Sequence, residues 1–162
     1  MARLWYKFQR VCRYWYLRIL RIKSSPESVA LGLAIGIFVG FLPIIPFQTV
    51  VAVAFAFLFR SSKIAAALGT WISNPLNVVF FYYMLYVVGK IFVPVQAKLD
   101  FSHLAMKDLI QAGWDLFLAM TVGGLVLGIP ASIATYFIFL KIIRRYREKK
   151  REKRYSRFRK VS

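Results

Sequence analysis

"FVGFLPIIPFQTVV", residues 38–51, lies within a 31-residue stretch (29–59) that carries no charge yet contains two prolines three residues apart, Pro43 and Pro46. Each proline removes a backbone donor and clashes with the preceding turn, so a helix approaching from either side must stop there. The stretch divides into residues 29–42 and 47–59, of 14 and 13 residues. At 1.5 Å per residue the longer piece advances ~21 Å, short of the ~30 Å of a hydrocarbon core but enough to enter and return. The expectation is a re-entrant helical hairpin over residues 29–59 with "PIIP" at its tip. One long, kinked helix is the alternative, because membrane helices tolerate prolines when neighbours satisfy the freed carbonyls.

Working outward from this break, the chain is 59% hydrophobic and carries a formal charge of +18 over 162 residues. A soluble globule rarely combines the two, and here they are segregated by position. Residues 1–23 hold seven Lys or Arg and no acid, and residues 141–160 hold twelve with only Glu148 and Glu152. Between them lie three charge-free runs, 29–59, 64–89 and 116–140, each longer than the ~20 residues a membrane-crossing helix needs. The pattern predicts an all-α polytopic membrane protein. A cleaved leader is disfavoured, since more than twenty residues rich in basic and aromatic side chains precede a run too long for a leader's apolar region.

Lys and Arg flanking membrane segments stay cytoplasmic, which places both basic ends in the cytoplasm. Three full crossings would separate them, so parity also favours a hairpin at 29–59. Arg60 and Lys63 then return to the cytoplasmic face. Residues 64–92 form an outward transmembrane helix broken at Asn74–Pro75, 93–115 an external segment, and 116–140 the inward transmembrane helix. The charges of residues 90–115 (Lys90, Lys98 and Lys107 against Asp100, Asp108 and Asp115) sum to zero, as an external loop permits.

The flanks follow from periodicity. In residues 1–24, Arg3, Lys7, Arg10, Arg18 and Arg21 share one helical face, and Trp5, Phe8, Cys12, Trp15, Ile19 and Ile22 the opposite one. This is the pattern of an amphipathic interfacial helix. "SSPES" starts the next helix, with Ser25 as N-cap, Pro26 at the first position and Glu27 beside the positive helix end. Residues 141–162 read as a basic cytoplasmic tail continuing the last helix, aided by Arg144 with Glu148 and Glu148 with Arg151. Arg10 of the N-terminal helix and Arg144, Arg145 and Arg147 of the tail are the candidate contacts to anionic lipid headgroups. Lipid explains the tails without nucleic acid, which is the weaker reading of their interleaved aromatics.

Gly32, Gly36 and Gly40 recur every four residues, leaving a bare stripe for close approach of another helix. A chain this small with such a face is also a candidate homodimer. In "GTWISNPLN", residues 69–77, Asn74–Pro75 unwinds the helix and leaves Thr70, Ser73, Asn74 and Asn77 needing partners away from water. With Pro43, Pro46, Gln48 and Thr49 they make the one concentration of polar chemistry inside the apolar runs. Paired breaks of this kind present backbone groups to solutes in many transporters; mutual capping of the two breaks is the competing reading. "GLVLGIP", with Gly124, Gly128 and Pro130, is a weaker echo of the first break. No nucleophile–base pair, metal-ligand spacing or nucleotide loop is present, and His103 is the single histidine, so neither enzyme nor cofactor nor metal is expected.

"SPESVALGLAIGIFVGFLP", then "FQT" and "GTWISNPLNVVFFYYMLYVVG", resembles the bacterial membrane family catalogued as domain of unknown function twenty sixty-two. The resemblance covers roughly residues 26–89 and, more loosely, the final membrane helix, and rests on Pro26, Ala30, Gly32, Ala34, Gly36, Pro43, Gln48, Thr70, Asn74, Pro75 and Gly89. It implies a bacterial inner-membrane location and, in some members, association with glycosyltransferase-like modules, but no established activity. The functional expectation is a small inner-membrane protein that translocates or binds a lipid-linked or anionic solute at the paired breaks. Its rival is an accessory or scaffold protein recruiting partners or anionic lipid through its basic tails.

Overall fold

The computed structural model describes residues 10, 22, 24–44, 46–73, 77–93 and 106–159, and every element among them is helical. Most of the expected interfacial helix over 1–24 lies outside the described residues, as do Ile45, Asn74, Pro75, residues 94–105 with His103, and residues 160–162. Arg10 is helical and exposed.

Helix α1 spans Pro26–Gly40. Its start is local chemistry: the Ser25 hydroxyl accepts from the Ser28 amide at 3.1 Å, Pro26 occupies the first turn, and Glu27 sits at the positive helix end. It ends ahead of Pro43, and α2 runs back over Gln48–Leu58. The two pieces bracket the prolines as a hairpin, with Val39 of α1 packed against Ala52 and Ala56 of α2. Helix α2 closes in a Schellman motif, in which the Arg60 amide donates to Phe57 O at 3.1 Å and the Ser61 amide to Ala56 O at 2.8 Å. Arg60 takes the left-handed conformation that glycine ordinarily supplies there, with φ 50°.

The chain next returns to the start of α1, where the Ser62 amide donates to Ser28 O at 3.0 Å. Ser62 caps α3, Lys63–Gly69, which tightens into a 3₁₀ turn, Thr70–Ile72. Helix α3 lies parallel to α1, and the small residues explain how closely. A Cβ at Gly32 would meet Ser62 O and Ala65 Cβ, one at Gly36 would meet Ala66 O and Gly69 Cα, and one at Gly40 would stand 2.8 Å from Ile72 Cγ2. Gly69 faces back, with its own Cβ position 2.7 Å from Leu33 O.

Helix α4, Val78–Gly89, continues beyond the level at which α1 ends: the Phe81 ring meets Phe41 at a tilt, centroids 4.9 Å apart, and Gly89 lies against Ala119. The long helix α5, Met106–Arg159, runs antiparallel to both α1 and α4 and packs against them. Its Ile143 packs with Val29 and Leu33, Gly124 and Gly128 receive Phe41, and Gly123 receives Leu85. From Ala119 to Ile143 it advances ~36 Å. Among the described residues it is the one helix long and apolar enough to cross a bilayer, within Ala112–Glu152. Only 22% of its most apolar window is buried. Large apolar side chains elsewhere are equally bare, Val79 at 83% and Phe80 at 74% exposed.

Three expectations need correcting. The segment 93–115 is not wholly distinct from the last helix, because α5 starts at Met106 and continues through 115 and 140 without interruption; nothing between Met106 and Ile129 breaks a helix. Pro130 does not repeat the first break: it sits inside α5, where one proline costs one backbone bond while Pro43 and Pro46 act together. Arg144 is committed across the bundle to Glu27 rather than along the helix to Glu148.

Candidate functional site at two helix breaks

The hairpin turn and the break after α3 meet at one level of the bundle, and their polar side chains bond across it. The Ser73 hydroxyl donates to Gln48 Oε1 at 2.9 Å, and Thr49 and Thr70 hydroxyls are 3.2 Å apart. Thr70 donates its proton to Ala67 O at 2.8 Å, so Thr49 is the donor of the pair. Asn77 Nδ2 donates to Ile72 O at 2.9 Å, tying the start of α4 to the end of the 3₁₀ turn. Thr70 and Ser73 are buried, Gln48 and Asn77 half-buried and Thr49 exposed.

Two features leave this cluster with unspent donors. Helix α2 is preceded at its N-cap by Phe47, whose side chain cannot cap, so the first amides of α2 have no side-chain partner. Beside them the Gln48 amide nitrogen has no partner among the described residues. Free amides at a helix N-terminus carry the positive end of the helix dipole and suit an anionic group. Chemically the arrangement can bind and orient an acceptor.

The expected site residues therefore divide. Gln48, Thr49, Thr70 and Ser73 converge, with Asn77 adjoining them. Pro43 is half-buried and Pro46 exposed at the turn, while Asn74 and Pro75 fall outside the described residues. Gly32, Gly36 and Gly40 face α3. Of the expected headgroup contacts, Arg145 is exposed, but Arg144 bonds Glu27 at 2.7 Å and Arg147 donates to the carbonyls of Ile22 and Ser24 at 2.8 and 2.6 Å. The Arg144 hydrogen bonds, helped by a backbone amide and by its charge, hold the Glu27 carboxyl below the usual glutamate range.

One residue escaped the sequence reading. Tyr82 Oη is buried without a hydrogen-bond partner among the described residues, beside a cavity of about 240 Å³ lined also by Pro43 and Met120. Nothing in "VVFFYYMLYVVG" distinguishes Tyr82 from exposed Tyr83, since only the position of α5 decides which ring is covered.

Comparison with curated proteins and with solved structures gives no match. A family model described as "Uncharacterized protein conserved in bacteria (DUF2062)" matches residues 9–152, nearly the whole length, and the chain belongs to that family.

Proposed function

We propose that this protein is a multi-pass component of the bacterial inner membrane, with both termini cytoplasmic, that binds and translocates an anionic or lipid-linked solute at its two helix breaks. The observation carrying this reading is the uncapped N-terminus of α2 beside the Gln48 amide, in a stretch of chain where lipid offers nothing to satisfy those donors. Three features support the topology. The α1–α2 hairpin begins and ends at the same level, α3 and α4 follow one another along the full length that α5 covers alone, and the basic part of α5 lies level with the start of α1. In this reading the hairpin is re-entrant, α3–α4 is one broken crossing and α5 the return.

The test uses proteoliposomes and a fluorescent-tailed lipid phosphate, whose transbilayer movement is followed by dithionite quenching. The protein is expected to accelerate movement, and Gln48→Leu combined with Asn77→Leu to abolish the acceleration. Movement undiminished in that variant would overturn the assignment of the site. Cysteine labelling in a Cys12→Ser background checks the layout: a cysteine at Ser62 is expected to label from the cytoplasm and one at His103 from outside.

A second reading is favoured by α5 itself. It stays helical 19 residues past Leu140, to Arg159, a cationic arm of ~28 Å suited to recruiting an acidic partner or anionic lipid in an accessory or scaffold role. Deleting residues 149–162 separates the two: it abolishes function in a scaffold and leaves lipid movement intact in a translocator.

A further inference from the structure

Between α1, α2 and α5, away from the helix breaks, runs a groove of about 470 Å³ whose lining is nearly all carbon. Ile35 and Phe38 form its floor, Phe55 and Phe59 one wall, and Ile133 and Phe137 the other. Phe55 and Phe59 lie nearly parallel, 6.4 Å apart, one turn from each other on α2. Ser132, which also lines the groove, spends its hydroxyl on Ile129 O at 2.8 Å and asks for no polar occupant. From Leu31 to Phe38 the groove is ~10 Å long, two-thirds of the ~15 Å depth of one leaflet's hydrocarbon.

Its two ends differ in charge. At the Phe38 end lie the helix breaks and the middle of the bundle. At the other end Arg60 directly follows Phe59, and Lys141 stands one helical turn beyond Phe137. Both are exposed, and neither side chain has a hydrogen-bonded or ionic partner among the described residues. Arg60 holds a left-handed conformation where glycine is the unstrained choice, so this position keeps a cation at the expense of backbone comfort. A fatty chain pointing inward with a phosphate at the cytoplasmic edge matches both the apolar lining and the position of the charges.

We infer that this groove is a binding site for one chain of an anionic phospholipid, with its phosphate held by Arg60 and Lys141. The site is separate from the helix breaks and rests on the membrane embedding proposed above, not on translocation. The orientation agrees with the proposed sidedness, since the cationic end of the groove faces the leaflet into which α5 delivers its basic residues.

Native mass spectrometry of the full chain, released from bilayers of equal phosphatidylglycerol and phosphatidylcholine, tests this. One retained phosphatidylglycerol per chain is expected, in preference to phosphatidylcholine. Arg60→Gly, which relaxes the backbone and so preserves folding, and Lys141→Gln are each expected to lower that preference about fivefold, from about 1 kcal/mol per surface charge. Ile133→Trp, filling the groove from its open side, is expected to abolish retention of either lipid with helix content unchanged. Equal retention of both lipids, a preference surviving in the Arg60→Gly, Lys141→Gln double variant, or retention surviving Ile133→Trp would each overturn the inference. So would a second copy of the chain occupying the groove, seen as a lipid-free dimer that Ile133→Trp dissociates. A chain that does not enter bilayers overturns this site and the membrane reading together, whereas an embedded chain without lipid preference overturns this site alone.

Discussion

Replacing Gly36 by alanine asks whether α1 and α3 touch backbone to backbone. The added methyl would overlap Ala66 O and stand 2.8 Å from Gly69 Cα, where ordinary contact begins at 3.4 Å. The helices must therefore move apart by at least about 0.6 Å, and a gap of that size forfeits about a quarter to a half of each dispersion well. A seam of small residues with on the order of forty carbon pairs, as many as one buried leucine makes, then loses ~1–4 kcal/mol at 0.1–0.2 kcal/mol per pair. Alanine's better helix propensity returns ~1 kcal/mol, leaving a net loss of ~0–3 kcal/mol. Gly113 is the control: nothing lies within 4 Å of its Cβ position, so Gly113→Ala is expected to gain ~0.5–1 kcal/mol from propensity alone. Unfolding in dodecyl maltoside micelles by added dodecyl sulfate, followed by circular dichroism, reads both. Gly36→Ala stabilised as much as Gly113→Ala would show that α1 and α3 are not in contact and would refute the parallel seam.

Other outcomes follow from the same contacts. A double-mutant cycle with Gln48→Leu and Ser73→Ala is expected to give a coupling of ~0.5–1.5 kcal/mol in the same unfolding assay; zero coupling would mean the two breaks do not bond each other. Arg60→Gly is expected to raise stability by up to ~1 kcal/mol because it removes a non-glycine left-handed residue, and a lowered melting temperature would contradict that geometry. Glu27 has its carboxyl pKa depressed in the fold, chiefly by the hydrogen bond from Arg144, so its contribution is present above the unfolded value near 4.5 and fades as the pH falls through the lower folded value. The drop in melting temperature between pH 7 and pH 3.5 should therefore be smaller in Glu27→Gln than in the parent, modestly so for an exposed pair; identical drops would deny the Glu27–Arg144 bridge.

Local chemistry made much of the helical framework legible. Two prolines three residues apart favour ending one helix and beginning another, and α1 and α2 accordingly bracket Pro43 and Pro46. Ser25, Pro26 and Glu27 likewise mark the start of α1 by capping rules that need no tertiary partner. The stripe of Gly32, Gly36 and Gly40 announces a close neighbour, but α3 as that neighbour, running parallel, depends on the course of residues 60–62. The polar residues around the breaks stand out in sequence because the apolar runs contain so few others; Tyr82 and the phenylalanine-lined groove do not, because aromatic side chains are spread through every run.

Sequence alone determined the helical class, the segregation of cations to the two ends and the position of the first break, since helix length, proline chemistry and charge distribution are properties of contiguous residues. The pairing of Gln48 with Ser73 and of Thr49 with Thr70, the diversion of Arg144 to Glu27, and the groove beneath Arg60 and Lys141 were decided by tertiary structure. Each joins residues at least 21 positions apart, and which faces meet at that separation is set by how helices pack, which no local pattern encodes.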